Sequence, residues 1–212
     1  MKTIKLTDWA ILMDEAAREM SENAELLCEM DARMGDGDLG LTMRKGYQAL
    51  PELYRALEDT DMGKRLSKAG MKMAGTVPST MGTLMASGWM EGGKRLAGCA
   101  EVGSSEFAAF LRGFADGIAK RGKCAVGDRT VLDALSPAAD AAEKAAADGA
   151  ELTETALAAL HGAREGLEAT RGMLPRFGKA AVFAEKAAGT EDQGALAGVL
   201  LVQGLCAGIA KL

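Results

Sequence analysis

Apolar residues in this chain recur three and four positions apart, and that spacing admits helices and little else. Trp9, Leu12, Met13, Ala16, Met20, Ala24 and Leu27 form one such stripe. It begins near Thr7 or Asp8, either of which can cap a helix, and delivers Asp31 at its end. The same spacing predicts helices over about Leu41–Leu57, broken or kinked at Pro51, then Met62–Gly75, Thr80–Leu96 and Gly103–Lys120. Further helices are expected over Val131–Ala147, bent near Pro137, from a Thr153 cap to Arg171, and over Ala195–Lys211. No run alternates as a strand does. Aromatics are only 4% of the residues while Ala, Leu, Met and Gly abound, which favours helices over sheets. With 212 residues, 48% of them hydrophobic, the expectation is an all-α fold: one domain over 1–212, a bundle of about eight helices.

Between the first two predicted helices lies Asp31-Ala32-Arg33-Met34-Gly35-Asp36-Gly37-Asp38-Leu39-Gly40. Three carboxylates this close repel one another unless a cation sits among them. Hard oxygen donors suit Mg²⁺, Mn²⁺ or Ca²⁺. Asp31, at a helix C-terminus, opposes the helix dipole, and a bound cation offsets that. The glycines let the backbone approach a ligand, and Gly40 opens a helix whose first amides can face a phosphate. The plainer alternative is a solvated acidic turn that caps a helix. An EF-hand is excluded, because the twelfth position counted from Asp36 is Tyr47 rather than Glu.

Three more turn-rich segments punctuate the chain. Pro78-Ser79-Thr80-Met81 precedes a helix, with Ser79 as its expected cap and, as the functional alternative, a phosphate-binding helix start. Arg121-Gly122-Lys123 through Gly127-Asp128-Arg129-Thr130 is polar and glycine-punctuated. Pro175 to Gly194 is irregular and ends in Asp192-Gln193-Gly194.

Several chemistries are excluded. Gly88–Lys94 and Gly117–Lys123 both match Gly-x4-Gly-Lys, but Arg95 and Cys124 stand where a P-loop needs Ser or Thr, and no strand precedes either. Cys28, Cys99, Cys124 and Cys206 are scattered, so a zinc site is not expected and reduced, buried thiols are. His161, the only histidine, lies mid-helix, which leaves no Ser-His-Asp triad or phosphohistidine relay elsewhere. A net charge of −5 with no basic cluster argues against a nucleic-acid partner. The N-terminus lacks a signal peptide's apolar core, and Ala195–Ala210 reads as a buried helix rather than a membrane span. A cytoplasmic protein with no membrane partner is expected.

Gly35-Asp36-Gly37-Asp38-Leu39-Gly40-Leu41-Thr42-Met43, preceded by Asp31, resembles the metal-binding segment of the nucleotide-binding L subunits of dihydroxyacetone kinases. The Pro78–Leu84, Arg121–Thr130 and Arg176–Gly194 segments follow in the family's order, so the resemblance covers nearly the whole chain. It implies an antiparallel barrel of about eight helices with ADP or ATP at one end. Asp31, Asp36 and Asp38 would hold two Mg²⁺ ions and act through them. Leu39, Gly40, Leu41 and Thr42, with Ser79, Thr80 and Met81, would face the phosphates. Gly122, Val131, Lys179 and the turn Asp192, Gln193 and Gly194 would supply the remaining nucleotide contacts, Lys179 with a catalytic charge. This chain departs from the family pattern at Leu39, where some members have His, and at Thr42, where they have Asn. Thr80-Met81 replaces an Ala-Ser pair, and Lys179 an Arg, which keeps the charge but loses bidentate contact.

The resemblance further implies a phosphotransfer enzyme that works with a separate K-type subunit, on which the substrate is held covalently by a histidine. The acceptor would be dihydroxyacetone or another short ketose. The donor would be ATP, or a phosphoprotein of the phosphotransferase system that rephosphorylates a held ADP. Two other classes use the same site: a nucleotide-loaded docking module without catalysis, and a metal-dependent phosphohydrolase, which lacks an obvious base or nucleophile beyond the aspartates.

Overall fold

Nine α-helices and a 3₁₀ turn are the principal regular elements among the described residues, which are 2–178, 181–182 and 187–212 of a computed structural model. The helices are α1 (Trp9–Glu22), α2 (Ala24–Ala32), α3 (Leu39–Arg55), α4 (Met62–Thr76) and α5 (Thr80–Arg95). They continue as α6 (Ser104–Gly122), α7 (Leu132–Ala147), α8 (Leu152–Ala169) and α9 (Gln193–Ala210). The 3₁₀ turn is Thr170–Gly172. Among these residues the only β pairing is one isolated bridge, Ile4 with Val102.

Eight of the helices close a ring. α1 packs on α3, α3 on α4, and each of α4 to α7 on the next; α8 packs on α9, which returns to α1. Short α2 lies outside this sequence of staves, against α3 and α9. The all-α antiparallel barrel expected from the sequence is thus the fold.

Four local details differ from expectation. The first predicted helix is two, because Asn23 leaves the helical region (φ −103°, ψ 11°) and its side chain donates to Glu19 O at 2.9 Å, diverting the backbone. Asp8 is the N-cap of α1 but makes no capping bond; its carboxylate instead accepts from the Lys5 amide at 2.8 Å. Helix α3 runs on through Pro51, which is buried. Helix α8 is capped by Glu151, not Thr153, with the Glu151 amide donating to Glu154 at 3.2 Å.

The barrel interior holds Trp9, Trp89, Phe110 and Phe114, packed edge-on or tilted with centroids 4.7 to 6.2 Å apart. Such pairs contribute about 0.5–1.5 kcal/mol each beyond their buried area. Helix α9 is long and apolar enough to cross a membrane, yet two thirds of it is buried within the barrel. A Cβ on Gly204 or Gly208 would lie 2.4 or 2.6 Å from the Cα of Ala16 or Leu12, so glycine lets α9 and α1 touch backbone to backbone. The four cysteines are all free, and each is partly rather than fully buried.

Candidate functional site

Asp31 occupies the last turn of α2 and is 8% exposed. Its Oδ2 accepts the amides of Gly37 (3.0 Å) and Asp38 (3.2 Å), which folds the intervening loop back over it. Gly37 makes that turn at φ +75°, a conformation that glycine adopts without strain. Asp31 Oδ1 accepts from Gln193 Nε2 at 3.2 Å, from the start of α9. Asp36 and Asp38 are exposed, and one carboxylate oxygen from each of the three aspartates lies within 4.8 Å of the others.

This donor set fits a divalent ion of the Mg²⁺ type. Oxygens on one such ion, at about 2.1 Å from it, lie at most about 4.2 Å apart. Small rotations of the two exposed side chains reach that spacing. Gln193 Oε1, beside the cluster, is buried with no hydrogen-bond partner among the described residues. A buried acceptor in that state is satisfied by a water or hydroxyl donor, as a hydrated metal or a ligand supplies.

Helix direction provides the second half of the site. In an antiparallel barrel alternate helices begin at the same end. Here α3 starts after Asp38, α5 after Ser79, α7 after Val131 and α9 after Asp192. Ser79 Oγ accepts the Gly82 amide at 3.0 Å, and Asp192 Oδ2 accepts the Ala195 amide at 2.8 Å, so each of these two starts has a side-chain cap on one amide while the amides before it stay open. All four starts line one cleft of about 390 Å³ that also holds the three aspartates. Four positive helix ends favour an anion, while the aspartates favour a cation. A polyphosphate carrying a divalent ion satisfies both.

Most of the residues expected from the sequence meet here. Asp31, Asp36, Asp38, Leu39, Thr42, Ser79, Thr80, Met81, Val131, Asp192, Gln193 and Gly194 line the one cleft. Gly122 lies instead in an adjoining polar cavity that shares Ser79, Thr80 and Leu84 with it. Leu41 is half exposed and outside the lining. Gly40 is a packing residue: a Cβ there would sit 1.8 Å from Ala24 O, so glycine brings α3 onto α2. Lys179 lies outside the described residues.

Sequence reasoning did not single out Arg129, Thr130, Phe177 or Met34, which also line the cleft. Arg129 is 3% exposed and has a left-handed backbone, φ +60°. Its turn is held by two aspartates: Asp133 accepts the Gly127 and Thr130 amides at 2.5 and 2.6 Å, and Asp128 accepts the Ala125 amide at 2.7 Å. The glycine-punctuated turn was visible in the sequence, but burial of a cation within it was not. Asp192, 5% exposed, is pushed up to about 6 by that burial, with the Ala195 amide and Arg129 opposing the shift. His161 is far more exposed, paired with Glu165 at 3.3 Å on α8, and takes no part in the lining.

The DAK2 domain family profile matches residues 33–207. The chain is 33% identical over 184 residues to a D-erythrulose kinase of Mycolicibacterium smegmatis, covering 86% of this chain but 32% of that protein. It thus spans about a third of that relative's length. It is 27% identical over 183 residues to the Escherichia coli protein described as the ADP-binding subunit DhaL of a PEP-dependent dihydroxyacetone kinase, covering 86% and 87% of the two chains. Among solved structures, the dihydroxyacetone kinase of C. freundii in complex with AMP-PNP and Mg²⁺ superimposes with a TM-score of 0.71. That match has 23% identity and covers 93% of this chain and 33% of that one.

Proposed function

The chain belongs to the DAK2 domain family, and from that premise we propose that it is the magnesium- and nucleotide-binding phosphotransfer subunit of a kinase for dihydroxyacetone or a related short ketose. The observation that carries this reading is the meeting of four helix N-termini and three aspartates on one cleft. That pairing of anion and cation preferences suits a metal-chelated di- or triphosphate.

Asp31, Asp36 and Asp38 hold two Mg²⁺ ions in this reading. When bound, the ions neutralise phosphate oxygens and help to align donor and acceptor. The chain's own part is electrostatic and positional. The first amides of α3 (Leu39 to Leu41), α5 (Thr80, Met81) and α9 (Gln193, Gly194) face the phosphates, and Thr42, Ser79 and Thr80 add hydroxyls. Lys179 contributes a positive charge to the transferred group. Val131 and the adjoining cavity at Gly122 take the nucleoside. Among the described residues the cleft lining holds no histidine, lysine or cysteine to anchor a small ketone covalently, which supports an acceptor presented by a separate K-type subunit. The donor is ATP that exchanges freely, or a phosphoprotein of the phosphotransferase system that recharges a held ADP. Such a reaction belongs to the cytoplasm, where nucleotide and Mg²⁺ are supplied.

Calorimetric titration of the nucleotide-stripped chain with ADP and ATP, with and without Mg²⁺, tests the reading. Tight binding only with Mg²⁺ is expected. Failure of both nucleotides to bind sinks the kinase role. Turnover of a phosphate ester by the chain without any partner favours a phosphohydrolase instead.

A further inference from the structure

Arg129 sits where an arginine is costly twice over. Its backbone is left-handed at φ +60°, which costs a non-glycine residue about 1 kcal/mol. Its side chain is fully buried, and a buried cation is tolerated only when its donors are satisfied. The compensation is specific. Nη1 donates to the carbonyls of Met173 (3.2 Å) and Ala187 (2.7 Å), and Nη2 to the carbonyl (2.9 Å) and Oγ1 (3.0 Å) of Thr190. The guanidinium therefore grips the segment that leads directly into α9.

Nε is left over. It is buried, without a hydrogen bond among the described residues, and 4.0 Å from Asp192 Oδ1. Asp192 is itself tied down: its amide donates to Thr170 Oγ1 at 3.0 Å and its Oδ2 caps α9 at the Ala195 amide. The next residue, Gln193, donates to Asp31. From Arg129 to the metal-binding aspartate is thus a short route: Thr190, the Asp192 cap, Gln193, Asp31.

We propose that Arg129 is a positioning residue of the cleft, which sets the first turn of α9 and, through Gln193, the carboxylate of Asp31. The proposal rests on the magnesium–nucleotide reading of the site. It explains why arginine stands at a strained position: a planar fork serves carbonyls in several fixed directions, which a point-like ammonium does not.

The test uses Arg129→Lys, with Thr190→Val as a milder variant that removes one acceptor and leaves the arginine in place. The first readout needs no ligand. Amide hydrogen exchange of the apo chain is expected to rise about tenfold at Ala195 in Arg129→Lys and to stay unchanged at Val202, mid-helix. Unchanged exchange at Ala195 in both variants overturns the proposal, as does an equal rise along the whole of α9, which marks general loosening. If Arg129→Lys fails to fold, Thr190→Val decides by the same comparison, with a smaller rise expected.

The second readout is Mg²⁺-dependent ADP affinity in a double-mutant cycle with Gln193→Ala. Arg129→Lys is expected to weaken binding about tenfold, and the double variant to bind no more weakly than the weaker single one. Wild-type affinity in Arg129→Lys, or additive losses, overturns the proposal. A wild-type chain that binds no ADP with Mg²⁺ sinks the functional reading instead, and the exchange comparison still judges Arg129.

Discussion

Gln193 Nε2 donates to Asp31 Oδ1 at 3.2 Å, joining two residues 162 positions apart. This bond ties the acidic loop, whose carboxylates hold cation in the proposed site, to the helix start that favours anion. Gln193→Ala is expected to weaken Mg²⁺-dependent ADP binding about tenfold, since it frees Asp31 from one of its three orienting donors. Thermal stability should move little, because the residue is only partly buried. Calorimetry beside a circular-dichroism melt separates the two effects; undiminished ADP affinity removes Gln193 from the site.

Neutralising one carboxylate probes the metal assignment directly. Asp36→Asn is expected to lower Mg²⁺-dependent nucleotide affinity by at least about 100-fold while the helical spectrum stays unchanged, because Asp36 is exposed and outside the core. Full Mg²⁺-dependent affinity in that variant would falsify the metal assignment.

Gly40→Ala tests whether helix packing sets the cluster. A methyl group 1.8 Å from Ala24 O forces α2 and α3 apart, at a cost of about 3 kcal/mol or more. Because Asp31 ends α2 and Asp38 precedes α3, Mg²⁺ affinity should fall together with stability. Urea denaturation and Mg²⁺ titration measure the pair. A stable Gly40→Ala chain contradicts the close approach.

Asp192 carries a pH signature. Burial raises its folded-state value from 3.8 to about 6. Between those values the folded protein binds a proton that the unfolded chain has released, so folding stability attributable to this group falls as pH rises from about 4 to 6. The loss is complete above about 6 and amounts to about 3 kcal/mol. Asp192→Asn removes this dependence and keeps an oxygen for the Ala195 amide. The stability of the variant relative to wild type should therefore increase from pH 4 to 7. Parallel stability curves over that range refute the burial argument.

The acidic loop was legible because its information is local. Asp31, Asp36 and Asp38 with their glycines lie within eight positions, so their clustering at one loop is set by the chain itself whatever the fold around it. The helices were legible for the same reason, since the recurrence of Leu12, Met13, Ala16 and Met20 is itself the buried face of α1. Ends were less legible: whether Asn23 interrupts a helix or Glu151 caps one depends on competition between side chain and backbone that spacing does not report.

What only the tertiary structure decided was which distant residues serve that loop. Closing the ring of helices brings the N-termini of α3, α5, α7 and α9 to one end, so Ser79, Val131 and Gln193 share a cleft with Asp31. It also separates roles within one motif, making Gly40 a contact between helices while Leu39 and Thr42 line the site. Arg129 shows the limit most clearly. In the sequence it is one charge in a polar turn, where solvation is the ordinary outcome. Its burial follows from the carbonyls of Met173, Ala187 and Thr190 arriving around it, and that arrival depends on long-range packing, which no local pattern encodes.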